Sequence, residues 1–338
     1  MPCYSPLKGW IVGVDSVTGK KIVKVTSPLD RGYPGFESFP VPCGHCIGCR
    51  LDYSRQWANR CMLEAQYHER SCFVTLTYDN DHVPKSLYVL KGKSGSSVAL
   101  TLCKRDLQLF FKRLRKSFSP GRFRYFGCGE YGPRTLRPHY HLILFGIDFS
   151  DRVLYGRSKT GNNMYVSEAL NRAWSFPPDR GECDSPRQNS TCAGLAIVQD
   201  MTWETCAYAA RYLCKKLLGP LGQFYSEHRM EPPFSVMSRR PGIGARYYVD
   251  HPELWQHDFI NVSTPDGGMK FRPPKYFVDL LERDDPFSAE ALKEVRKAFA
   301  LQQSSLIEDL SFMDYDQYLH RQEDIKSAEI KLLKRGAL

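Results

Sequence analysis

Two strand-like segments joined by a short connection constrain the fold of this chain more than any other feature. Residues 122–130 and 139–147 are both predicted as strands, and the second contains the apolar run from Leu142 to Phe145. Only residues 131–138 separate the two segments, and sequential strands with so short a connection usually pair antiparallel. The sequence therefore predicts a β-hairpin near the middle of the chain.

Two histidines lie on one face of the second predicted strand. Side chains alternate along a strand, so His139 and His141 point the same way, and the hairpin brings Glu130 close to them. Two imidazoles and a carboxylate leave positions open for a substrate oxygen and water, and they suit Mg²⁺ or Mn²⁺ without excluding Zn²⁺ or Fe²⁺. The alternative is that both histidines only form structural hydrogen bonds, because a bare His-x-His pattern is a weak motif.

A second feature is a tyrosine-bearing segment, residues 203–218, which contains no glycine or proline and predicts a helix. At about 100° per residue, an aliphatic stripe that includes Cys206 would face the core, and Tyr208, Tyr212 and Lys215 would lie on the opposite side. Paired tyrosines beside a metal suggest cleavage and rejoining of DNA through a protein–phosphotyrosine bond. The lysine would stabilise a phenolate or a phosphate, unless it serves only as a partner of the helix dipole.

The chain is basic, and its formal net charge of +10 favours a polyanionic partner, nucleic acid ahead of an anionic membrane. Part of this charge lies on a predicted amphipathic helix over residues 104–118, where Lys112 and Arg113 could contact phosphates. Arg239 and Arg240 precede a glycine-containing loop that permits close approach to a phosphate backbone. For both segments the alternative is a solvated surface. No run of about 18 apolar residues predicts a membrane span.

The chain contains twelve cysteines and lacks the pattern of a signal peptide, which predicts reduced thiols or metal ligands rather than a disulfide framework. Cys43, Cys46 and Cys49 follow one another at three-residue steps. One hypothesis is a structural zinc bound by these three thiolates and by either Cys3 or His45. The other is a set of free thiols at the start of a helix.

The order of the predicted strands and helices indicates an α+β fold, with an antiparallel sheet and helices mainly on one face. We expect an irregular or hairpin-like N-terminal lead-in with the cysteine cluster over residues 1–49 and a central domain over residues 50–250. A mostly helical extension over residues 251–338 would follow, and it carries no functional signal that the sequence reveals.

Three motifs resemble those of the HUH endonuclease superfamily, named for its His-hydrophobic-His motif. The likeness is greatest to the two-tyrosine rolling-circle replication initiators of microviruses of the gokushovirus type. In chain order the motifs are Phe73–Tyr78, Arg137–Ile143 and Tyr208–Lys216, and the stretches Cys43–Arg50 and Met237–Gly244 also look like that phage branch. The likeness covers roughly residues 40–250. Its most specific part is the Tyr-x-x-x-Tyr-x-x-Lys spacing of the third motif.

This resemblance implies an antiparallel sheet of about five strands with flanking helices, and it makes residues 50–250 a nicking and joining domain. It also implies that His139, His141 and Glu130 hold a divalent metal at the scissile phosphate. Tyr208 or Tyr212 would attack the phosphate and keep the 5′ end as a phosphotyrosine, and the freed 3′-OH would prime synthesis. The other tyrosine would later cleave the regenerated origin, so that the displaced strand closes into a circle.

The resemblance implies that the protein acts on origin DNA, both single-stranded and replicative-form. It also implies two host partners, a DNA polymerase and a helicase, and a location in the cytoplasm of the bacterial host. The sequence contains no P-loop motif, which agrees with a helicase supplied by the host. Two alternatives stay open. One is a non-enzymatic protein that binds single-stranded nucleic acid, and the other is an HUH transposase or relaxase with the same chemistry.

Overall fold

The computed structural model describes residues 3–16, 21–27, 31–89, 94–118, 123–158, 161–176, 191–213, 222–257, 259–264 and 267–332. The strands among them are β1 Leu7–Val14, β2 Lys21–Thr26, β3 Ser38–Val41, β4 Ser71–Thr77, β5 Lys85–Tyr88, β6 Ser97–Leu100, β7 Arg124–Tyr131, β8 Pro138–Phe145, β9 Val153–Arg157, β10 Asn163–Val166, β11 Ser175–Phe176, β12 Thr191–Cys192, β13 Ala196–Asp200, β14 Phe234–Met237, β15 Ile260–Thr264 and β16 Gly267–Phe271. The α-helices are α1 Ile47–Ala65, α2 Lys104–Ser117, α3 Glu168–Ala173, α4 Trp203–Leu213, α5 Gln223–Glu227, α6 Ala245–Asp250, α7 Lys275–Asp284, α8 Pro286–Ser311 and α9 Tyr315–Leu332, and Pro252–Gln256 form a short 3₁₀ helix.

The chain divides into two compact units, one built from parts of residues 1–53 and 278–334 and one from residues 54–277. In the first unit, three strands form an antiparallel sheet in the order β2-β1-β3, where the sequence predicted only an irregular or hairpin-like lead-in. The same unit contains α8 and α9, which confirm the predicted C-terminal helices. The domain boundaries expected near residues 49 and 250 stay a prediction. No helix in the described ranges is long and apolar enough to cross a bilayer.

A mainly antiparallel sheet forms the centre of the second unit. Within the described residues it has seven strands in the order β14-β7-β8-β4-β13-β10-β9. The predicted hairpin is the β7–β8 pair, whose register runs without a break from the Arg124–Phe145 pair to the Tyr131–Pro138 pair. The predicted α+β fold on an antiparallel sheet is therefore confirmed, with seven strands where about five were expected.

Both faces of this sheet are covered by helices. On one face, α2 and α3 complete an apolar core with residues of β4 and β8, among them Val74, Leu76, Leu142, Leu144, Leu107, Phe110, Leu114 and Leu170. On the other face, α4 and the second half of α1 pack on Phe73, Phe126, Ile143, Phe145, Trp57, Cys61, Cys206 and Ala210. The expectation of helices mainly on one face was wrong. A strand such as β8, with four consecutive apolar residues, has no face that can be left in water.

Tyr140 fixes the start of α2 on the first of these faces. Its buried hydroxyl accepts a hydrogen bond from the N–H of Cys103 at 2.9 Å and lies 2.9 Å from the hydroxyl of Tyr78, which donates to Asp106 at 2.6 Å. Burial raises the pKa of both phenols, so both stay protonated and can donate. The network therefore links β4 and β8 to the first turn of α2.

We expect the substitution Tyr140→Phe to lower the free energy of unfolding by about 1–3 kcal/mol, because it leaves buried partners without their hydrogen bond. Urea unfolding curves of the full chain give this difference. Tyr155→Phe is the matched control, since Tyr155 is 57% exposed, and it should change stability by less than about 0.5 kcal/mol. Equal unfolding midpoints for the two variants would contradict the structural role of Tyr140.

Candidate metal centre and tyrosine helix

The pairing of β7 with β8 brings three potential metal ligands together. Glu130 lies directly opposite His139 in the register, and His141 lies two residues further along the same face. One carboxylate oxygen, Oε1 of Glu130, is 2.6 Å from Nε2 of His139 and 3.2 Å from Nε2 of His141. The potential ligand atoms of the three residues all lie within 4.8 Å of one another. A single small cation could therefore contact all three side chains.

The second nitrogen of each imidazole has its own partner. Nδ1 of His139 is 3.1 Å from the carbonyl oxygen of Arg137, and Nδ1 of His141 is 3.0 Å from the hydroxyl of Thr75 on β4. Partners of this kind orient the ring of a metal-binding histidine and leave the other nitrogen for the metal. Arg137 is itself held by the carbonyl of Tyr78, to which its Nη2 donates at 2.7 Å. The turn before β8 is therefore attached to the end of β4.

The carboxylate of Glu130 fits a cation site. Burial alone would raise its pKa, but hydrogen bonds and attraction from His139 and His141 outweigh burial, and the pKa is lowered overall. Its second oxygen, Oε2, is buried without a hydrogen-bond partner among the described residues. An unpartnered buried carboxylate oxygen is costly, and a bound cation would remove that cost. Two nitrogens and a carboxylate suit a divalent ion such as Mg²⁺ or Mn²⁺.

Tyr208 lies directly beside this group. Helix α4 packs on β7 and β8, and the ring of Tyr208 meets the imidazole of His141 edge to face, with 5.0 Å between ring centroids. The ring of Phe73 on β4 stacks with the imidazole of His141 at 5.6 Å between centroids and meets the ring of Tyr208 edge to face at 6.2 Å. The structure therefore brings together one predicted nucleophile and the predicted metal ligands.

The surroundings of Tyr208 differ from the sequence-based expectation. The helical pattern placed this phenol opposite the buried stripe, but the side chain is partly buried against the sheet. Cys206, a member of the predicted stripe, is buried as expected and packs on Cys61 of α1. Ser54 of the same helix donates to the carbonyl of Ala207 at 2.6 Å. On the sheet side, Cys128 donates to the carbonyl of Ala209. Helix α4 is thus enclosed on two sides, which its small alanines permit.

Two other predicted residues of the third motif cannot be placed in the same way. The backbone of Tyr212 belongs to the last described turn of α4, but its side chain lies outside what the structure describes. Lys215 falls wholly outside the described residues.

The four predicted DNA-binding residues are not gathered at the candidate metal centre. Lys112 and Arg113 belong to α2, which covers the opposite face of the sheet, and Arg113 donates to the carbonyl of Ala173 at 3.2 Å. Arg239 and Arg240 follow β14, which reaches the Phe126 end of β7. By strand rise, the distance from that end to Glu130 is roughly 13 Å or more. Their role as DNA contacts stays a prediction.

Sequence reasoning did not assign a role to Thr75 and Phe73, although both belong to the first motif. The register pairs Thr75 with His141 and Thr77 with His139, so alternate residues of β4 share the face of the histidines. The alternation Phe-x-Thr-x-Thr from residue 73 to 77 could have identified them, once β4 was known to be the neighbour of β8.

A second group of potential ligands lies in the first unit. The sulfur atoms of Cys3, Cys43, Cys46 and Cys49 all lie within 4.8 Å of one another. His45, the other residue considered as a fourth ligand, is exposed, and its Nδ1 lies 2.8 Å from the carbonyl oxygen of Cys43. The geometry therefore groups Cys3, and not His45, with the three closely spaced cysteines.

Comparison with known proteins bears on the same region. Residues 71–218 match a family model described as replication-associated protein ORF2/G2P. The chain is 30% identical over 285 residues to the replication-associated protein ORF2 of Spiroplasma virus 4. The aligned residues cover 81% of this chain and 79% of the relative. It is 26% identical over 296 residues to the replication-associated protein VP4 of Bdellovibrio phage phiMH2K, covering 85% and 79% of the two chains. No solved structure matches the chain.

The matched region contains β4, the β7–β8 hairpin and α4, which carry the three sequence motifs. The resemblance to rolling-circle replication initiators of microviruses is thereby confirmed. The extent of the likeness to the Spiroplasma virus protein is sufficient to assign the family. The chain belongs to the ORF2/G2P family of phage replication-associated proteins.

Proposed function

We propose that this protein cleaves and rejoins DNA at the origin of a small phage genome and so starts its rolling-circle replication. One observation carries the proposal: the ring of Tyr208 lies against His141, one of two histidines that share a carboxylate oxygen of Glu130. A tyrosine nucleophile and a set of metal ligands on adjacent elements are the components that strand transfer requires.

The metal ligands would be His139, His141 and Glu130. A divalent cation bound there would supply positive charge to polarise the scissile phosphate and to stabilise the leaving oxygen. Thr75 and the carbonyl of Arg137 contact the Nδ1 atoms of the two imidazoles, which would leave both Nε2 atoms for the cation. The carboxylate of Glu130 would offset part of the cation's charge, and the cation would give its unpartnered oxygen a partner.

In the cleavage step, the phenol oxygen of Tyr208 attacks phosphorus, and the bond from phosphorus to the 3′ oxygen breaks. The phenol gives up its proton and the leaving oxygen gains one, so the products are a 5′-phosphotyrosine and a free 3′-OH. One phosphodiester bond replaces another, and a 3′-OH can therefore reverse the step and rejoin a strand without ATP.

Tyr212 follows Tyr208 by about one helical turn. We propose that it cleaves the regenerated origin after one round of synthesis and that Lys215 neutralises phosphate charge in these steps. The substrates would be replicative-form and single-stranded origin DNA. The residues proposed to contact the flanking DNA backbone are Lys112, Arg113, Arg239 and Arg240. A host DNA polymerase would extend the 3′-OH and a host helicase would separate the strands, in the cytoplasm of the bacterial cell.

Covalent attachment to DNA tests the role of the tyrosines. We expect the wild-type chain, incubated with Mn²⁺ and labelled single-stranded oligonucleotides tiled across its genome, to form an adduct that survives a denaturing gel. Tyr208→Phe keeps the ring against His141 but removes the attacking oxygen, so it should reduce the adduct. The double variant Tyr208→Phe/Tyr212→Phe should abolish it.

Tyr155→Phe is the matched control and should form the adduct at the wild-type rate, because the exposed Tyr155 belongs to the edge strand β9. A double variant with an undiminished adduct would rule out both tyrosines as nucleophiles. A wild-type chain that binds every oligonucleotide and cleaves none would instead favour the non-enzymatic binding protein.

Removal of the carboxylate charge tests the metal centre. We expect Glu130→Gln, which keeps the size of the side chain, to weaken Mn²⁺ binding by more than about tenfold, since changes even outside the ligand shell cost about 10–100-fold. Thr75→Val removes only the hydroxyl beside Nδ1 of His141 and should have a smaller effect in the same direction. Isothermal titration with Mn²⁺ measures both.

Glu69→Gln serves as the control, because Glu69 is an exposed residue after α1. It should bind Mn²⁺ as the wild type does. If Glu130→Gln and Glu69→Gln bind Mn²⁺ with equal affinity, Glu130 is not a ligand.

A further inference from the structure

Four cysteine sulfurs converge at one point of the first unit, whereas the elements that carry the proposed chemistry belong to the second unit. Cys3 precedes β1, Cys43 and Cys46 lie in the turn before α1, and Cys49 lies in the first turn of that helix. Their sulfur atoms are mutually within 4.8 Å, and those of Cys3 and Cys46 are 3.8 Å apart. None of the four forms a disulfide, which would require about 2.05 Å between two sulfurs.

Backbone N–H groups point at these sulfurs. The N–H of Cys43 donates to Cys3 at 3.3 Å, that of Cys46 donates to Cys43 at 3.3 Å, and those of Tyr4 and Cys49 donate to Cys46 at 3.4 Å each. Hydrogen bonds of this kind favour the charged form of a sulfur ligand. Four thiolates so close together would repel one another unless a cation lay between them.

We propose that Cys3, Cys43, Cys46 and Cys49 bind a structural Zn²⁺. In a tetrahedral site with Zn–S bonds of about 2.3 Å, the sulfurs are about 3.8 Å apart, which is the distance between Cys3 and Cys46. An iron–sulfur cluster would need a wider space that holds several iron and sulfide ions between the thiolates. Four protein ligands leave no open coordination position, so the ion serves structure and not catalysis.

The ion would close the loop that contains β1, β2 and β3, because Cys3 and Cys43 lie 40 residues apart at its two ends. It would also secure the contact with α9. Tyr4 and Cys46 are buried together with Leu319, and the N–H of Ile47 donates to Glu323 at 3.3 Å. So small an apolar cluster buries little surface, and a metal commonly supplies the missing stability in such units.

Metal analysis of the full chain, expressed with zinc in the medium and dialysed, tests the site. We expect about one tightly bound Zn²⁺ per chain, a value that a closed four-thiolate site predicts. When a mercurial reagent is added stepwise, the zinc should be released as the four cysteine thiols of the site react. Replacement by Co²⁺ should give the intense sulfur-to-metal absorption and the visible bands of a tetrahedral thiolate site.

Variants separate this site from the alternatives. Cys3→Ser and Cys46→Ser should lose the zinc, whereas the control Cys192→Ser should keep it, because Cys192 lies in β12 outside the cluster. His45→Ala should also keep it, which distinguishes Cys3 from His45 as the fourth ligand. Glu130→Gln should keep it too, which separates this zinc from any ion at the histidines.

Hydrogen exchange provides a measurement that does not depend on the variants folding. Removal of zinc from the wild-type chain with a chelator should raise exchange in β1, β3 and α9, while β4 and β8 stay protected. The proposal is overturned if the wild-type chain contains no tightly bound zinc, if iron takes its place, or if Cys3→Ser retains a full equivalent.

Discussion

The register between β7 and β8 is the constraint on which the rest of this structure depends. It sets Glu130 opposite His139 and places one oxygen within reach of both imidazoles. A slip of one residue would turn the carboxylate to the other face of the sheet, into the core beneath α2, where an unpaired charge is costly. The same slip would exchange the apolar residues of two well-packed cores. Packing far from the histidines therefore maintains the geometry of the three potential ligands.

Alternation along β8 separates the proposed chemistry from the scaffold. His139 and His141 face α4, whereas Tyr140 between them points to the opposite side and holds the start of α2. The neighbouring strand repeats the arrangement, since Thr75 supports His141 while Val74 and Leu76 enter the core. At the level of the histidines, each strand thus carries potential functional groups on one face and packing groups on the other.

The hairpin and the grouping of Glu130, His139 and His141 were predictable because the period of a strand is a local property of the sequence. The environment of Tyr208 was not predictable, because a helical projection assumes that a helix has one buried side, whereas α4 has two. Its second neighbour, α1, contributes Ser54 from 153 residues away, and no local pattern shows such a contact. Whether Cys3 or His45 joins Cys43, Cys46 and Cys49 as the fourth residue depended likewise on how the chain folds back through β1 to β3. The edge strand β14 was missed because it is four residues long and follows two prolines.

The first compact unit is assembled from both ends of the sequence, with β1 to β3 before residue 54 and α8 and α9 after residue 278. Residues 54–277 leave the ribosome before α9 has been synthesised, and domains generally fold as they emerge. At that moment Tyr4 and Cys46 still lack Leu319, against which they pack in the finished protein. The central sheet can therefore form during translation, whereas the first unit is completed only after α9 has left the ribosome.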